Sequence, residues 1–274
     1  MTLIGPRIWA PTGPRESCGE VGVSCRLGAP HIEAALQVAQ PLKTIKDNIS
    51  CLYCCKYRYN TSMKTVEAIR ILNDISFSQK GLFTAAQAKA VGVERYTVSR
   101  LEKLGNVERL AKGVYRMGGA PSQREEDVFA AWLSLVPSRQ PGAPFSDADP
   151  VAMGVTAAWL YRIGEIGPMP YEFCTSVRRQ TQRHGLILRK RDLRQTDTSL
   201  VAGIPATTPA RTVIDLIDYG EDLSLVSNVL CDALELGLIS DENHLREEID
   251  RRGMKMGIAK DPSLYEMMRG GRRI

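Results

Sequence analysis

The feature that most constrains this chain lies between residues 63 and 118, where several stretches with regularly spaced apolar residues each end at a glycine or at a turn that contains glycine. In the first stretch, apolar residues recur at the spacing of an amphipathic helix. They are Val66, Ile69, Leu72 and Ile75. Thr84 and Gln87 then have the spacing of a capping box, which predicts a second, short helix that ends at Gly92.

A third helix is expected over about Arg95–Leu104, because Val98, Leu101 and Leu104 recur at three-residue spacing and predict a core-facing side. A tight hairpin follows. Its predicted strands are Val107–Leu110 and Gly113–Met117, joined by Ala111-Lys112-Gly113. Three helices followed by a hairpin is the order of a winged helix-turn-helix domain, which we place at residues 63–118.

Residues 119–260 have a mixed pattern and are predicted to form a second domain. One helix is predicted directly after the cap pattern Ser122-x-x-Glu125. The other predicted helices cover about Val155–Ile163, Ala210–Tyr219, Leu223–Leu236 and Asp241–Arg252. The predicted strands are Tyr171–Thr175, Gly185–Lys190 and a bent strand or hairpin at Ser199–Thr207. The fold class is therefore α+β: an N-terminal winged helix-turn-helix joined to a mixed α/β C-terminal domain. Residues 261–274 are expected to be a basic tail.

Residues 1–62 are expected to be a weakly structured extension. Five of the seven cysteines lie in this part, unlike the spread of cysteines in a disulfide scaffold. Cys51-x-x-Cys54 has zinc-knuckle spacing, but no second pair has suitable spacing, so no metal site is predicted. An alternative hypothesis is that residues 1–62 are not part of the native protein and that translation starts at Met63.

Basic residues are concentrated in two zones of the chain. Residues 63–118 hold ten Lys/Arg against five Asp/Glu, and residues 171–200 hold seven against three. Residues 201–261 are acidic, with six basic and twelve acidic side chains. Two basic zones separated from an acidic scaffold predict a protein that binds a polyanion.

The third helix and the hairpin are expected to bind duplex DNA. The candidate DNA-binding residues on the helix, expected to be mostly exposed, are Arg95, Tyr96, Thr97, Ser99, Arg100 and Lys103. Those on the hairpin are Arg109, Lys112 and Arg116. Because a recognition helix enters the major groove with its N-terminal end, Arg95, Tyr96 and Ser99 are the best candidates for contacts to base edges. Arg100 and Lys103 suit backbone phosphates. For each single residue, the alternative is an ordinary solvated surface.

No catalytic, cofactor or metal-binding motif is found, so the chain is not expected to be an enzyme or to carry a cofactor. The histidines His31, His184 and His244 are scattered, and no Asp or Glu has a Lys two positions later, as many nuclease sites require. Cys174 and Cys231 are expected to be inert core thiols. No apolar run approaches the ~18–20 residues of a membrane span, and the first residues lack the core of a secretion signal. We therefore expect a cytoplasmic protein without a membrane partner.

Several stretches closely resemble AbiEi antitoxins, the antitoxin halves of abortive-infection (type IV) toxin–antitoxin pairs. Those that resemble the N-terminal domain of the family are Gly81-Leu-Phe-Thr-Ala-Ala-Gln-Ala, Arg100-Leu-Glu-Lys-Leu-Gly and Arg109-Leu-Ala-Lys-Gly-Val-Tyr-Arg. The stretch Gly203-Ile-Pro-Ala-Thr-Thr-Pro-Ala-Arg-Thr-Val-Ile-Asp-Leu resembles the C-terminal antitoxin domain. The similarity covers about Thr65–Ile249.

The resemblance implies a transcriptional autorepressor that binds inverted repeats in its own promoter. It also implies a C-terminal domain that opposes a co-encoded nucleotidyltransferase toxin, without necessarily forming a stable complex with it. Glu94 stands where relatives often have Ser or Thr, so the base preference is expected to differ. The alternatives are a toxin- or RNA-binding interaction protein, a generic winged-helix regulator, and a metal-dependent nuclease with an unrecognised site.

A second basic cluster lies in the C-terminal domain. It comprises Arg178, Arg179, Arg183, Arg189, Lys190 and Arg191. Arg189 and Arg191 are expected to share one face of a strand, and like charges this close repel unless an anion or an acidic partner lies between them. The cluster is therefore either an auxiliary nucleic-acid or toxin-substrate surface or a solvated edge. Arg211 and Asp215 are four residues apart on one helix and are expected to form a structural ion pair.

Overall fold

The computed structural model describes residues 64–258 and 260–270 of the chain. The described residues belong to one compact unit. The predictions for residues 1–62, for the Cys51–Cys54 pair and for a start at Met63 lie outside the described residues.

The first described part has the predicted order of three helices and a hairpin. Its elements are α1 (Thr65–Phe77), β1 (Leu82–Thr84), α2 (Ala85–Ala90), α3 (Arg95–Lys103), β2 (Val107–Ala111) and β3 (Val114–Met117). The strands form an antiparallel sheet of order β1-β3-β2. The capping box is confirmed, since the Thr84 hydroxyl accepts the Gln87 amide and the Gln87 side chain accepts the Thr84 amide. Together these elements form the predicted winged helix-turn-helix.

The helices and the sheet of this part enclose a small apolar core. Phe83, Val98 and Leu101 are fully buried, and the Phe83 ring stacks on the Tyr115 ring with 5.7 Å between centroids. Leu104, which is predicted to face this core, is instead 62% exposed. The prediction is wrong because α3 ends one residue earlier, so that Leu104 is the C-cap residue of the helix.

The second part is built on a five-stranded mixed sheet of order β6-β5-β4-β8-β7. Its strands are β4 (Val151–Ala152), β5 (Tyr171–Thr175), β6 (Leu186–Lys190), β7 (Thr198–Val201) and β8 (Ile204–Thr207). The pairs β5–β6 and β4–β8 are parallel, whereas β4–β5 and β7–β8 are antiparallel. The bent segment after residue 198 is therefore a hairpin, one of the two structures expected for it, and β6 lies at one edge of the sheet.

Helix α4 (Glu126–Leu135) joins the two parts. Its Trp132 lies in one apolar cluster with Leu82 and Val114 of the small sheet and with Phe173 of the large sheet. The predicted cap pattern at its start is not formed, since the N-cap residue Glu125 makes no side-chain cap hydrogen bond. The winged helix is thus packed against the C-terminal part through a shared core, which limits rotation between them.

The remaining α-helices of the described residues form a second apolar core. They are α5 (Gly154–Tyr161), α6 (Pro209–Asp218), α7 (Leu223–Glu235), α8 (Glu242–Lys255) and α9 (Leu264–Gly270). Residues 264–270 are therefore not the basic tail that the composition predicts. Leu264, Tyr265 and Met268 are buried among α7 and α8, because they lie on one face of a helix whose charged residues lie on the other.

Candidate nucleic-acid interface

Helix α3 presents its N-terminal turns to solvent, as a recognition helix requires. Arg95 and Tyr96 are exposed, the latter with 72% of its surface, and Ser99 one turn later is half-buried. Among residues 64–258 and 260–270, neither Arg95 nor Lys103 has an ion-pair partner. The two charges are therefore free to pair with phosphates or with guanine edges.

Thr97 does not belong to this exposed face. It is 9% exposed, because the buried stripe of α3 runs through Thr97, Val98 and Leu101 and not through Leu104. The expectation that Thr97 is largely exposed is therefore wrong.

Arg100 lies at the boundary between the exposed face and the core. Its guanidinium donates to the Thr65 hydroxyl at the start of α1, and its Nε is buried without a hydrogen-bond partner. Holding two helices together restricts this side chain, so Arg100 is less free than Lys103 to reach a phosphate.

The hairpin presents a basic tip. Lys112 lies in the turn and is exposed, and Arg109 on β2 is exposed as well. The Gly113 carbonyl accepts the Ala85 amide at 2.9 Å, which fixes the turn against the start of α2. The wing tip is therefore held at a defined position beside the helix-turn-helix.

Arg116 is turned away from this surface. It lies on the central strand β3 and is 15% exposed, with its guanidinium 2.9 Å from Glu126 and also bonded to Glu108. Burial lowers the pKa of Arg116, but the hydrogen bonds and charges of the two carboxylates raise it by more, so the side chain stays charged. The expectation that Arg116 is available to bind DNA is corrected: two carboxylates hold its guanidinium, and the residue joins β3 to α4.

Lys89 is a further exposed basic residue, outside the candidates on the third helix and the hairpin. It lies in the last turn of α2, the helix before the recognition helix. The first helix of a helix-turn-helix crosses the DNA backbone, so a Lys at this place has the right charge for a phosphate contact. The sequence signal is a Lys three residues before the turn glycine Gly92.

The second basic cluster divides into two groups. Arg178, Arg179 and Lys190 are exposed and line an open groove of about 680 Å³ at the edge of β6, and Arg183 is exposed nearby. This groove carries positive charge without a carboxylate in its lining.

Arg189 and Arg191 share one face, as expected, but they are packed against α6. Their guanidinium carbons lie 3.8 Å and 5.2 Å from the centroid of the Tyr219 ring. Arg189 bonds Glu172 at 3.0 Å, and Arg191 donates to the Tyr219 hydroxyl at 2.8 Å. Both are half-buried, so the expectation that they belong to an exposed auxiliary surface is wrong for these two residues.

The Arg211–Asp215 ion pair is present, with 3.0 Å between Nε and Oδ1. Asp215 is fully buried, and this burial raises the pKa of its carboxyl even though Arg211 lowers it. Burial and the nearby Asp215 charge raise the pKa of the Cys174 thiol to about 12. Cys174 is therefore a protonated core thiol at neutral pH, as is expected of an inert cysteine.

Within the part of the chain that the structure describes, no group of three His, Cys, Asp or Glu side chains is arranged to hold a metal ion. No helix in the described ranges has the length and apolar character needed to cross a membrane.

A winged helix with exposed cations on its third helix and wing, packed on a mixed α/β domain, defines a DNA-binding transcriptional regulator as the class of protein. The particular family follows from two family models: one described as "Transcriptional regulator, AbiEi antitoxin" matches residues 71–118, and one described as "AbiEi antitoxin C-terminal domain" matches residues 129–261. The chain belongs to the AbiEi antitoxin family, which confirms the resemblance seen in the sequence. Among curated proteins, none matches the chain.

The protein is thus the antitoxin of a toxin–antitoxin system and carries a regulator domain. The matched families are regulatory families and not families of enzymes.

Proposed function

We propose that this antitoxin represses its own promoter by binding inverted repeats, and that its C-terminal domain opposes a co-encoded nucleotidyltransferase toxin. The observation that carries the first half is the set of exposed basic residues on α3 and the wing. Arg95 and Lys112 lie on the two elements that this fold turns towards DNA. Arg95 is in the first turn of the recognition helix and suits a guanine edge, while Lys112 at the wing tip suits a phosphate.

Arg95→Ala is expected to weaken binding to the promoter by about ten- to a hundredfold, the cost of one lost base contact. Lys112→Ala is expected to weaken binding several-fold and to lower the slope of log K against log salt by about one ion, since one phosphate contact is lost. Fluorescence anisotropy of the full chain on a promoter fragment, at four salt concentrations, measures both effects.

The control is Lys255→Ala, which removes an exposed charge at the end of α8, a helix of the C-terminal part and not of the winged helix. This variant is expected to bind like the unaltered protein. Unchanged midpoints for both Arg95→Ala and Lys112→Ala would refute the assignment of this surface.

The exposed arginines of the C-terminal domain support a longer DNA contact. Three hydrogen bonds connect the wing to these arginines. The backbone amide of the first residue of α2 donates to the Gly113 carbonyl in the wing turn, and the hydroxyl of the preceding residue, Thr84, donates to the Pro137 carbonyl. The Leu135 carbonyl, two residues before Pro137 in the chain, accepts from the Arg179 guanidinium at 3.4 Å. These bonds connect the wing to the segment that holds Arg179, and we propose that Arg178, Arg179, Arg183 and Lys190 extend the contact to further phosphates of the same duplex.

The double variant Arg178→Ala with Lys190→Ala is expected to bind the promoter more weakly and to lower the salt slope by up to about two ions. The matched control is Arg251→Ala with Lys255→Ala, which removes two exposed cations from α8. Equal affinity and equal slope for the two double variants would show that the segment at residues 178–190 is only a solvated edge.

The second half of the proposal concerns the toxin. The family match over residues 129–261 supports an antitoxin role for the C-terminal part, which is separate from the DNA-reading face of α3 and the wing. When supplied from an unrelated promoter, the Arg95→Ala, Lys112→Ala double variant is therefore expected to protect cells from the neighbouring toxin as well as the unaltered chain does. Colony counts after toxin induction measure this protection.

Loss of protection in that double variant would contradict the separation of the two roles. Co-purification of the toxin with the full chain would favour the alternative, a directly toxin-binding interaction protein. A neighbouring reading frame that does not encode a nucleotidyltransferase would refute the proposed toxin class.

A further inference from the structure

The segment between α4 and β4 supplies two backbone acceptors to the winged helix. The Thr84 hydroxyl donates to the Pro137 carbonyl, and the Gln87 side-chain amide donates to the Arg139 carbonyl at 2.7 Å. The donor residues Thr84 and Gln87 are both buried, so these polar groups are costly to leave without a partner. The start of α2 is therefore fixed by residues of the C-terminal half.

The Gln87 amide has no spare bonding capacity. Its oxygen accepts from the Thr84 amide at 2.8 Å and from the Gln79 side chain at 3.1 Å, while its nitrogen donates to Gln79 and to the Arg139 carbonyl. A shift of the Arg139 carbonyl therefore leaves a buried donor without one of its partners and disturbs the capping box of α2.

The position of that carbonyl is set by the Arg139 side chain. Its guanidinium bonds Asp149 at 2.6 Å and the Ala143 carbonyl, and it lies 4.6 Å from the centroid of the Phe145 ring. Asp149 also accepts the Ser146 amide at 2.9 Å. With only 12% of the side chain exposed, Arg139 is the centre around which residues 137–149 fold.

We propose that Arg139 is a positioning residue for operator binding, acting through its backbone carbonyl on α2 and, through α2, on the recognition helix and the wing. This inference rests on the operator binding proposed above. Helix α2 packs on α3, and its first amide bonds the wing turn at Gly113, so both DNA-reading elements depend on its position. Arg139 itself is nearly buried, so we expect it to act without contacting DNA.

The test compares the full chain with Arg139→Gln, with Arg139→Lys and with the control Arg252→Gln. Arg252 is also a half-buried arginine bonded to two side chains, Asp218 and Glu248, but it lies on α8 away from the winged helix. Operator affinity is measured at several salt concentrations, and hydrogen exchange is measured for the amides of residues 84–91. Circular dichroism confirms that each variant is folded at the working temperature.

Arg139→Gln is expected to bind the operator about tenfold more weakly, with an unchanged salt slope, because no phosphate contact is lost. Exchange at residues 84–91 is expected to be faster than in the control. Arg139→Lys is expected to be intermediate, since it keeps the charge facing Asp149 but not the second bond to Ala143. If the Gln variant fails to fold, the Lys variant decides the matter on the same measurements.

Affinity and exchange equal to those of Arg252→Gln would overturn the inference. A salt slope lowered by about one ion would also overturn it, because Arg139 would then be a phosphate contact. Failure of the unaltered protein to bind the operator would refute the proposed function and any role of Arg139 in it. A negative result confined to the Arg139 variants would refute the present inference alone.

Discussion

Replacing Arg211 by alanine is expected to lower the free energy of unfolding by about 3–5 kcal/mol at pH 7, since it leaves a buried charge without its partner. Asp215 has no exposed surface, and one of its carboxylate oxygens has no hydrogen-bond partner even with Arg211 present. Urea unfolding followed by circular dichroism measures the change, with Arg251→Ala as the control. Arg251 forms an exposed ion pair on α8 and its removal is expected to cost well under about 1 kcal/mol.

The cost of Arg211→Ala is expected to depend on pH in a defined direction. Burial already raises the pKa of Asp215 above its usual value of 3.8, and Arg211 is the main group that opposes this. Without Arg211 the folded-state pKa rises further above the unfolded-state value. A carboxyl with a raised folded pKa favours folding most below its unfolded pKa and loses that contribution as pH rises through the folded pKa. The deficit of the variant is therefore expected to be smaller at pH 5 than at pH 7.5, and an equal or larger deficit at pH 5 would contradict this account.

Arg116→Ala is expected to destabilise the protein by about 3 kcal/mol, because Glu126 remains nearly buried without its cation. This ion pair joins β3 of the winged helix to the first turn of α4, so its removal is expected to weaken the junction between the two parts. The matched control is Arg109→Ala on the neighbouring strand, an exposed arginine whose loss is expected to change stability by less than about 0.5 kcal/mol. Unfolding in urea measures both.

The same variant separates a structural role from a DNA-binding role. If Arg116 only joins two elements, operator affinity at low temperature, where the variant is folded, stays close to that of the unaltered protein. A stability equal to that of Arg109→Ala, together with a lowered salt slope, would mean that Arg116 contacts phosphate after all.

Local patterns in the sequence predict much of this fold. The capping box at Thr84 and Gln87, the helical periods of α1 and α3 and the turn at Lys112 each depend on residues within a few positions. Strands β1 and β4 are missed because they contain only three and two residues, and pairing across the sheet defines them. Helix α9 is missed because charged residues lie between its apolar ones.

The residues of the candidate site also divide into those whose exposure local patterns predict and those whose roles depend on distant partners. The exposure of Arg95, Tyr96 and Lys112 follows from a helix face and a turn tip, which are local properties that a sequence reveals. The roles of Arg116 and Arg189 follow from carboxylates 10 and 17 residues away, which no spacing rule connects to them. Charge counting alone finds basic residues and does not tell which of them are already paired.

The most direct test of the central claim is a binding titration of the full chain on its own promoter fragment and on a shuffled fragment of equal length. At 50 mM salt we expect tighter binding to the promoter fragment, by at least about tenfold, and a steep fall in affinity between 50 and 200 mM salt for both fragments. Absence of binding at 50 mM salt, or equal affinity for the two fragments, would contradict the central claim.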